Sequence, residues 1–231
     1  MGSAEAHIRQ FKRNACFEFV DKASRKLFPS GTFRLGKAFL LSCPAGRPIS
    51  TRPLKNVQIR KASAEDLGIV VACNAEKSRE DLFRRYFESG RECYVAISDH
   101  KCVGYAWAFF SDTTITFDSY RRSNILMTLP QNSCFVGDGF LHPAWRMRGL
   151  FPLLIAHVFG NLSRERSIRT IYNHIDYANE NSIRSCLRLG FTLHKTIVYL
   201  RMLDAQWIAV YANDGSKKAI QRLTGQTRLS M

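Results

Sequence analysis

Three observations predict an α/β (α+β) fold, a mixed sheet with helices packed on it, preceded by an N-terminal extension. Residues 57–202 switch between strand-like and helix-like patterning in the order β-α-α-β-β-β-α-β-α-β, which a sheet covered by helices can bury. Residues 92–98 (ECYVAIS) and 102–110 (CVGYAWAFF) flank the turn Asp99-His100-Lys101 and form a hairpin signal. Residues 135–158 (FVGDGFLHPAWRMRGLFPLLIAHV) run from a strand, through a loop with two arginines and a glycine, into an amphipathic helix.

The elements follow in order. Up to Lys55 the chain carries alternation around residues 16–20 and an apolar run at 38–42. Gly and Pro then interrupt it at Pro29, Gly31, Gly36, Pro44, Gly46, Pro48 and Pro53, so this part is expected to be an appendage with a linker. Residues 57–61 alternate as a strand. Ser63, with Asp66 three positions on, gives an N-cap signal for a helix over 63–74. A more polar helix over 78–89 precedes the hairpin. TTITF at 113–117 is a further strand signal, and 121–130 is ambiguous. After the strand at 134–141, the apolar positions Phe151, Leu154, Ile155, Val158, Phe159 and Leu162 share one helical face. Pro152 sits early in that helix, where a missing N–H costs little. A strand at 168–176, a helix at 181–189 stopped by Gly190, and a strand at 192–202 complete the pattern. The stretch 207–231 is too mixed to read. The expected organisation is 1–55 basic extension, 56–203 main domain and 204–231 tail.

With 231 residues, 45% hydrophobic and 12% aromatic, the chain can bury a core, and global disorder is not expected. No run of about 18 apolar residues marks a membrane span, and the first residues lack a secretory pattern. The seven cysteines are odd in number and scattered, with no C-x-x-C pair, which points to reduced thiols in a cytoplasm and to no metal site. The net charge is +15. Residues 1–55 hold 11 Lys/Arg against 3 Asp/Glu, a surplus that calls for an anionic partner or else a solvated basic surface.

The loop after residue 141 has the features of an anion site, against a surface Arg-Gly turn that caps an ordinary amphipathic helix. Its free backbone N–H groups and the positive end of the helix dipole face the same place, and Arg146 and Arg148 add charge. HPAWRMRGLF (142–151) resembles motif A of the GNAT superfamily of acyl-CoA N-acyltransferases, whose pattern is Q/R-x-x-G-x-G/A. Arg146 fills the first place, Gly149 the fourth, and Pro143 stands where such proteins often carry proline. The sixth place departs from the pattern, being Phe151, a residue that helical periodicity sends toward the core. One strand later, NENSIRSCLRLGF (179–191) resembles the family segment N-x-x-A/S-x-x-x-Y-x-K/R-x-G-F through Asn179, Ser182, Arg188, Gly190 and Phe191, with Cys186 at the tyrosine place.

The resemblance covers about residues 57–202. It implies a mostly antiparallel twisted sheet and an acetyl-CoA cosubstrate, with no metal. It places the cofactor on Leu141, Arg146, Arg148, Gly149, Leu150, Phe151, Asn179 and Ser182, with Leu141 offering backbone to the thioester and pantetheine. It further implies an N-acetyltransferase acting on a primary amine. Asp138, the one carboxylate on the strand before the loop, is the first candidate for general base, against a turn or bulge aspartate between two glycines. His142 is the second, against a loop-positioning role. His174 and Asp176, two apart on one strand face, are candidates to line the acceptor side, against a satisfied structural histidine. Cys186 stands where the family's tyrosine protonates the leaving thiolate, although a helical cysteine is more often buried and inert.

The basic N-terminal segment favours an anionic acceptor, such as a nucleotide-linked amino sugar or a charged tRNA, over cationic amines. The expected partners are an acyl-CoA, an amine acceptor, an anionic macromolecule on the basic segment, and a second copy as a homodimer. Two other classes stay open. One is a non-catalytic coenzyme A-binding module. The other is a nucleic-acid-binding module using the basic segment, with Phe11, Phe17, Phe28 and Phe33 among its charges.

Overall fold

The computed structural model describes residue 23 and residues 33–74, 79–110, 115–116, 125–202, 205–212, 217–223 and 227–230. Cys16, the alternation at 16–20, and Phe11, Phe17 and Phe28 lie outside these. In chain order the elements are β1 (Phe33–Pro44), β2 (Gln58–Lys61), α1 (Leu67–Asn74), α2 (Glu80–Glu88), β3 (Glu92–Ser98), β4 (Lys101–Phe110), β5 (Ile115–Thr116) and β6 (Ile125–Thr128). They continue with β7 (Ser133–Leu141), α3 (Leu150–Arg166), β8 (Thr170–Asp176), α4 (Glu180–Arg188), β9 (Thr192–Met202), β10 (Ala205–Ala212), β11 (Lys217–Leu223) and β12 (Thr227–Ser230).

These elements form two compact units. The unit that holds the 142–151 loop is made largely of the described residues from Cys43 to Asn173. Its strands β2, β3, β4 and β7 pair antiparallel in that order, and β7 takes β8 in parallel, with Ser133, Cys134 and Phe135 beside Thr170, Ile171 and Tyr172. The sheet is therefore mixed and mostly antiparallel, as predicted. β4 is buried along all but its first residue, with Tyr105, Trp107 and Phe109 among the most enclosed side chains. α2 covers them: Phe83 meets Tyr105 edge-on at 5.4 Å, while Tyr86 and Phe87 meet Trp107 at 5.0 and 4.9 Å. Offset and edge contacts of this kind add to area burial and fix the helix on the sheet.

The predicted helix at 63–74 opens as a 3-10 turn (Ala64–Asp66) before α1. Asp66 makes the cap: its Oδ2 accepts from the Ser63 amide at 2.9 Å. Arg60 grips both carboxylate oxygens at 2.6 and 2.7 Å, and that hydrogen-bonded pair holds the Asp66 carboxyl down at about 2. At the far end of β3, Glu92 is only 4% exposed. It accepts from Lys61 Nζ at 2.6 Å, Arg166 Nη2 at 2.8 Å and the Tyr94 hydroxyl at 2.9 Å, tying β2, β3 and the end of α3 together.

The other unit carries β1, β9, β10, β11 and α4. β9 pairs antiparallel with both β1 and β10, and β10 with β11. Gly36 stands opposite Tyr199, whose ring occupies the space a β-carbon at 36 would need. A strand thus runs through 33–44, inside the segment expected to be an appendage, and three more, β10, β11 and β12, lie in the C-terminal stretch that patterning left unread.

Candidate functional site

β7, the loop after it and the start of α3 form one continuous piece. The anchor is apolar: Leu150 is fully buried against Ala96 and Val103, with Leu54, Val57, Ile59, Leu141 and Trp145 packed around them. Residues on both sides of the loop, Leu141 and Trp145 before it and Leu150 after it, therefore sit in one cluster. Between these anchors the chain stands out from the surface. His142 to Ala144 and Arg146 to Gly149 are exposed, and Met147 is 92% exposed.

The backbone supplies the binding geometry. Met147 (φ 61) and Gly149 (φ 84) both adopt left-handed conformations. At Gly149 nothing lies within 4 Å of an added β-carbon, so the position needs glycine for its backbone and not for space. The first intrahelical bond of α3 runs from the Leu153 amide to the Gly149 carbonyl at 3.3 Å. Pro152 has no N–H, and the amides of Arg148, Gly149, Leu150 and Phe151 donate to no backbone carbonyl among the described residues. Four successive donors without a backbone partner thus stand at the positive end of a 17-residue helix, an arrangement suited to an anion.

The side chains divide their tasks. Arg146 is braced, its Nε donating to the Leu141 carbonyl at 3.1 Å and its guanidinium lying 5.9 Å from the Phe140 ring. Arg148 is exposed beside the open amides. His142 caps the short 3-10 turn Pro143–Trp145, its Nδ1 accepting from the Ala144 amide at 3.4 Å, while its own amide donates to Val103. Phe151 is half-buried, less enclosed than its periodicity predicted, because Leu150 takes the innermost place.

Asp138 sits at an irregularity in β7. Tyr105 pairs with Phe140 and Trp107 with Gly137, so Asp138 and Gly139 together face the single residue Ala106. This is a β-bulge, and with φ 46 at Asp138 it re-aims the carboxylate out of the ladder. The carboxylate meets Arg79, whose Nη2 lies 2.5 and 2.6 Å from its two oxygens. The same guanidinium lies 4.9 Å from the Phe83 ring. Burial works against the Arg79 charge, and the Asp138 carboxylate more than compensates, raising its pKa. Arg79 escaped the sequence reading because it is 59 positions from its partner and no spacing rule links them.

The remaining predicted residues belong to the other unit. Asn179 caps α4, its Oδ1 accepting from the Ser182 amide at 3.2 Å. Cys186 is 1% exposed inside that helix. Desolvation of the half-buried His174 ring pushes its pKa down to about 4 against the opposing pull of Asp176.

The family model of the acetyltransferase (GNAT) family matches residues 58–191, and the chain belongs to that family, whose chemistry is acyl transfer. Solved structures share the fold at low identity. A functionally unknown conserved protein from Staphylococcus epidermidis is 15% identical with a TM-score of 0.52, over 79% of this chain and 66% of its own. A tandem GNAT protein from the clavulanic acid biosynthesis pathway is 16% identical with a TM-score of 0.52, over 72% and 53%. A GCN5-related N-acetyltransferase from Kribbella flavida is 16% identical with a TM-score of 0.52, over 73% and 59%. The chain spans between about half and two thirds of the length of these three structures. No curated protein sequence matches it. Among the described residues, no helix is long and apolar enough to cross a membrane.

Proposed function

We propose that the chain transfers an acetyl group from acetyl-CoA to a primary amine on an anionic acceptor. The observation that carries this reading is the run of open amides from Arg148 to Phe151, in a chain of the acetyltransferase (GNAT) family. The pyrophosphate of coenzyme A would take those amides, with Arg148 as the free cation and Arg146 bracing the loop against the Leu141 carbonyl. Leu141 would offer its backbone to the thioester and pantetheine. The amine nitrogen forms its bond to the thioester carbonyl carbon, the carbon–sulfur bond breaks, and coenzyme A departs as thiolate. Asp138 receives the amine proton, directly or through water.

His142 is assigned to shaping the loop, since its ring nitrogen already accepts from Ala144. The buried Cys186 is given no proton-transfer role. The net charge of +15 supports an anionic acceptor. The test is thiol release from acetyl-CoA by the full chain across a panel of anionic and neutral amines. Release that depends on the amine is the expected result. Acetyl-CoA binding without release for any amine would favour a coenzyme A-binding module instead.

A further inference from the structure

The ion pair at the β7 bulge uses only part of its arginine. Both contacts to Asp138 come from Nη2. Nη1 and Nε of Arg79 have no hydrogen-bond partner among the described residues, and the side chain keeps a quarter of its exposure. A guanidinium presents its donors as a planar fork, and a second face suited to a carboxylate or phosphate stays open when one nitrogen is engaged. The group is also held still. Asp138 fixes one edge, the Phe83 ring supports its face, and the side chain is only 25% exposed. A preorganised, partly desolvated arginine recognises an anion more strongly than a mobile surface one, because little freedom is lost on binding.

The position fits an acceptor site. Asp138 lies three residues before Leu141, on the strand that leads into the open-amide loop. At roughly 3.3 Å per strand residue, and with the bulge shortening the span, the two are at most about 10 Å apart. The surroundings also favour negative charge. Arg91, stacked 4.3 Å from the Tyr86 ring and 4.9 Å from the Phe109 ring, is a second guanidinium within the field of Asp138.

We infer that Arg79 is the specificity-determining residue of the acceptor site, its Nη1–Nε edge receiving a carboxylate or phosphate of the acceptor whose amine lies beside Asp138. Asp138 is then a positioning residue for Arg79 in the empty site. It becomes available to the amine proton when the acceptor's anion shares the guanidinium. This rests on the acyltransferase reading for the reaction it serves, but the anion site stands on its own geometry.

The experiment uses the full chain, with N-acetylglycinate as probe and N-acetylglycinamide as its neutral twin. The Nε–Hε resonance of Arg79 is followed by NMR and assigned by its loss in Arg79→Gln. A saturable shift with the carboxylate and none with the amide is the expected result. Asp138→Asn should weaken that response severalfold, because the guanidinium loses its orientation. Arg79→Gln should lower kcat/KM for carboxylate-bearing amines at least about tenfold relative to their amides. Equal response to both probes, or no saturable response, would overturn the inference. A normal Arg79 response in a chain that fails to bind acetyl-CoA would sink the acyltransferase reading and leave the anion site standing.

Discussion

Replacing Glu92 with glutamine keeps the volume and removes the charge from the most enclosed carboxylate in the sheet. Its Oε1 receives Lys61 and Arg166, and its Oε2 the Tyr94 hydroxyl. The two cations are 45% and 48% exposed and can rehydrate, so each loses about 1 kcal/mol, the upper value for a surface pair. Tyr94 keeps an acceptor in the one amide oxygen of the glutamine, which turns its NH2 toward Lys61 and Arg166 and sends both out to water. The expected loss is therefore about 2 kcal/mol, or roughly 4–8 °C in Tm for a chain of this size. Glu92→Ala also strands the fully buried tyrosine hydroxyl and should cost about 3–5 kcal/mol. The pH dependence follows from the direction of the shift. Burial pushes the Glu92 carboxyl up, but the bonds from Lys61, Arg166 and Tyr94 outweigh it and hold the pKa low. A depressed carboxyl stabilises the fold above the unfolded value, near pH 4.3, and that contribution fades as pH falls below it. Urea unfolding of parent and Glu92→Gln from pH 7 to pH 3 should show a gap that closes toward acid. A gap under about 0.5 kcal/mol at pH 7, or one unchanged at pH 3, would refute this account of the network.

Further expectations concern other sites. Gly149→Ala should strain the left-handed turn by about 1 kcal/mol and weaken acetyl-CoA binding in calorimetry, without a clash to confuse the result. Arg60→Met should cost about 1 kcal/mol near neutral pH, a cost that shrinks in acid and vanishes only once pH falls below about 2, where Asp66 gives up its charge in the fold. His174 remains neutral in the fold down to about 4 while the unfolded chain takes its proton near 6.5. Stability should therefore fall as pH drops from about 6.5 to 4, and His174→Gln should flatten that slope in urea titrations. Asp138→Asn should lower turnover at least roughly tenfold with little change in acetyl-CoA affinity, measured by thiol release.

What was legible in the sequence was local. The open-amide loop lies in one contiguous segment, and its strand, glycine, arginines and helical apolar stripe each carry their own pattern, so 135–158 could be read residue by residue. The hairpin of β3 and β4 was equally visible through its turn. The rest depends on partners far along the chain. β1 finds its mate in β9 some 150 positions later, as Ser42 beside Thr192 shows, and Gly and Pro around it read as linker. The two glycines flanking Asp138 already admitted a turn or a bulge, but only the register with β4, which sets Asp138 and Gly139 against Ala106, decides for the bulge. The Arg79 pairing is invisible for the same reason. His142 drew attention as a base by its chemistry, but its ring nitrogen is used by the turn it starts.

The open amides at the head of α3 are the centre of the account, and calorimetric titration of the full chain with acetyl-CoA tests them most directly. Saturable one-to-one binding, weakened at least about tenfold by Arg148→Ala, is the predicted result. Absence of binding by the parent chain, or equal affinity in the Arg148→Ala variant, would contradict it.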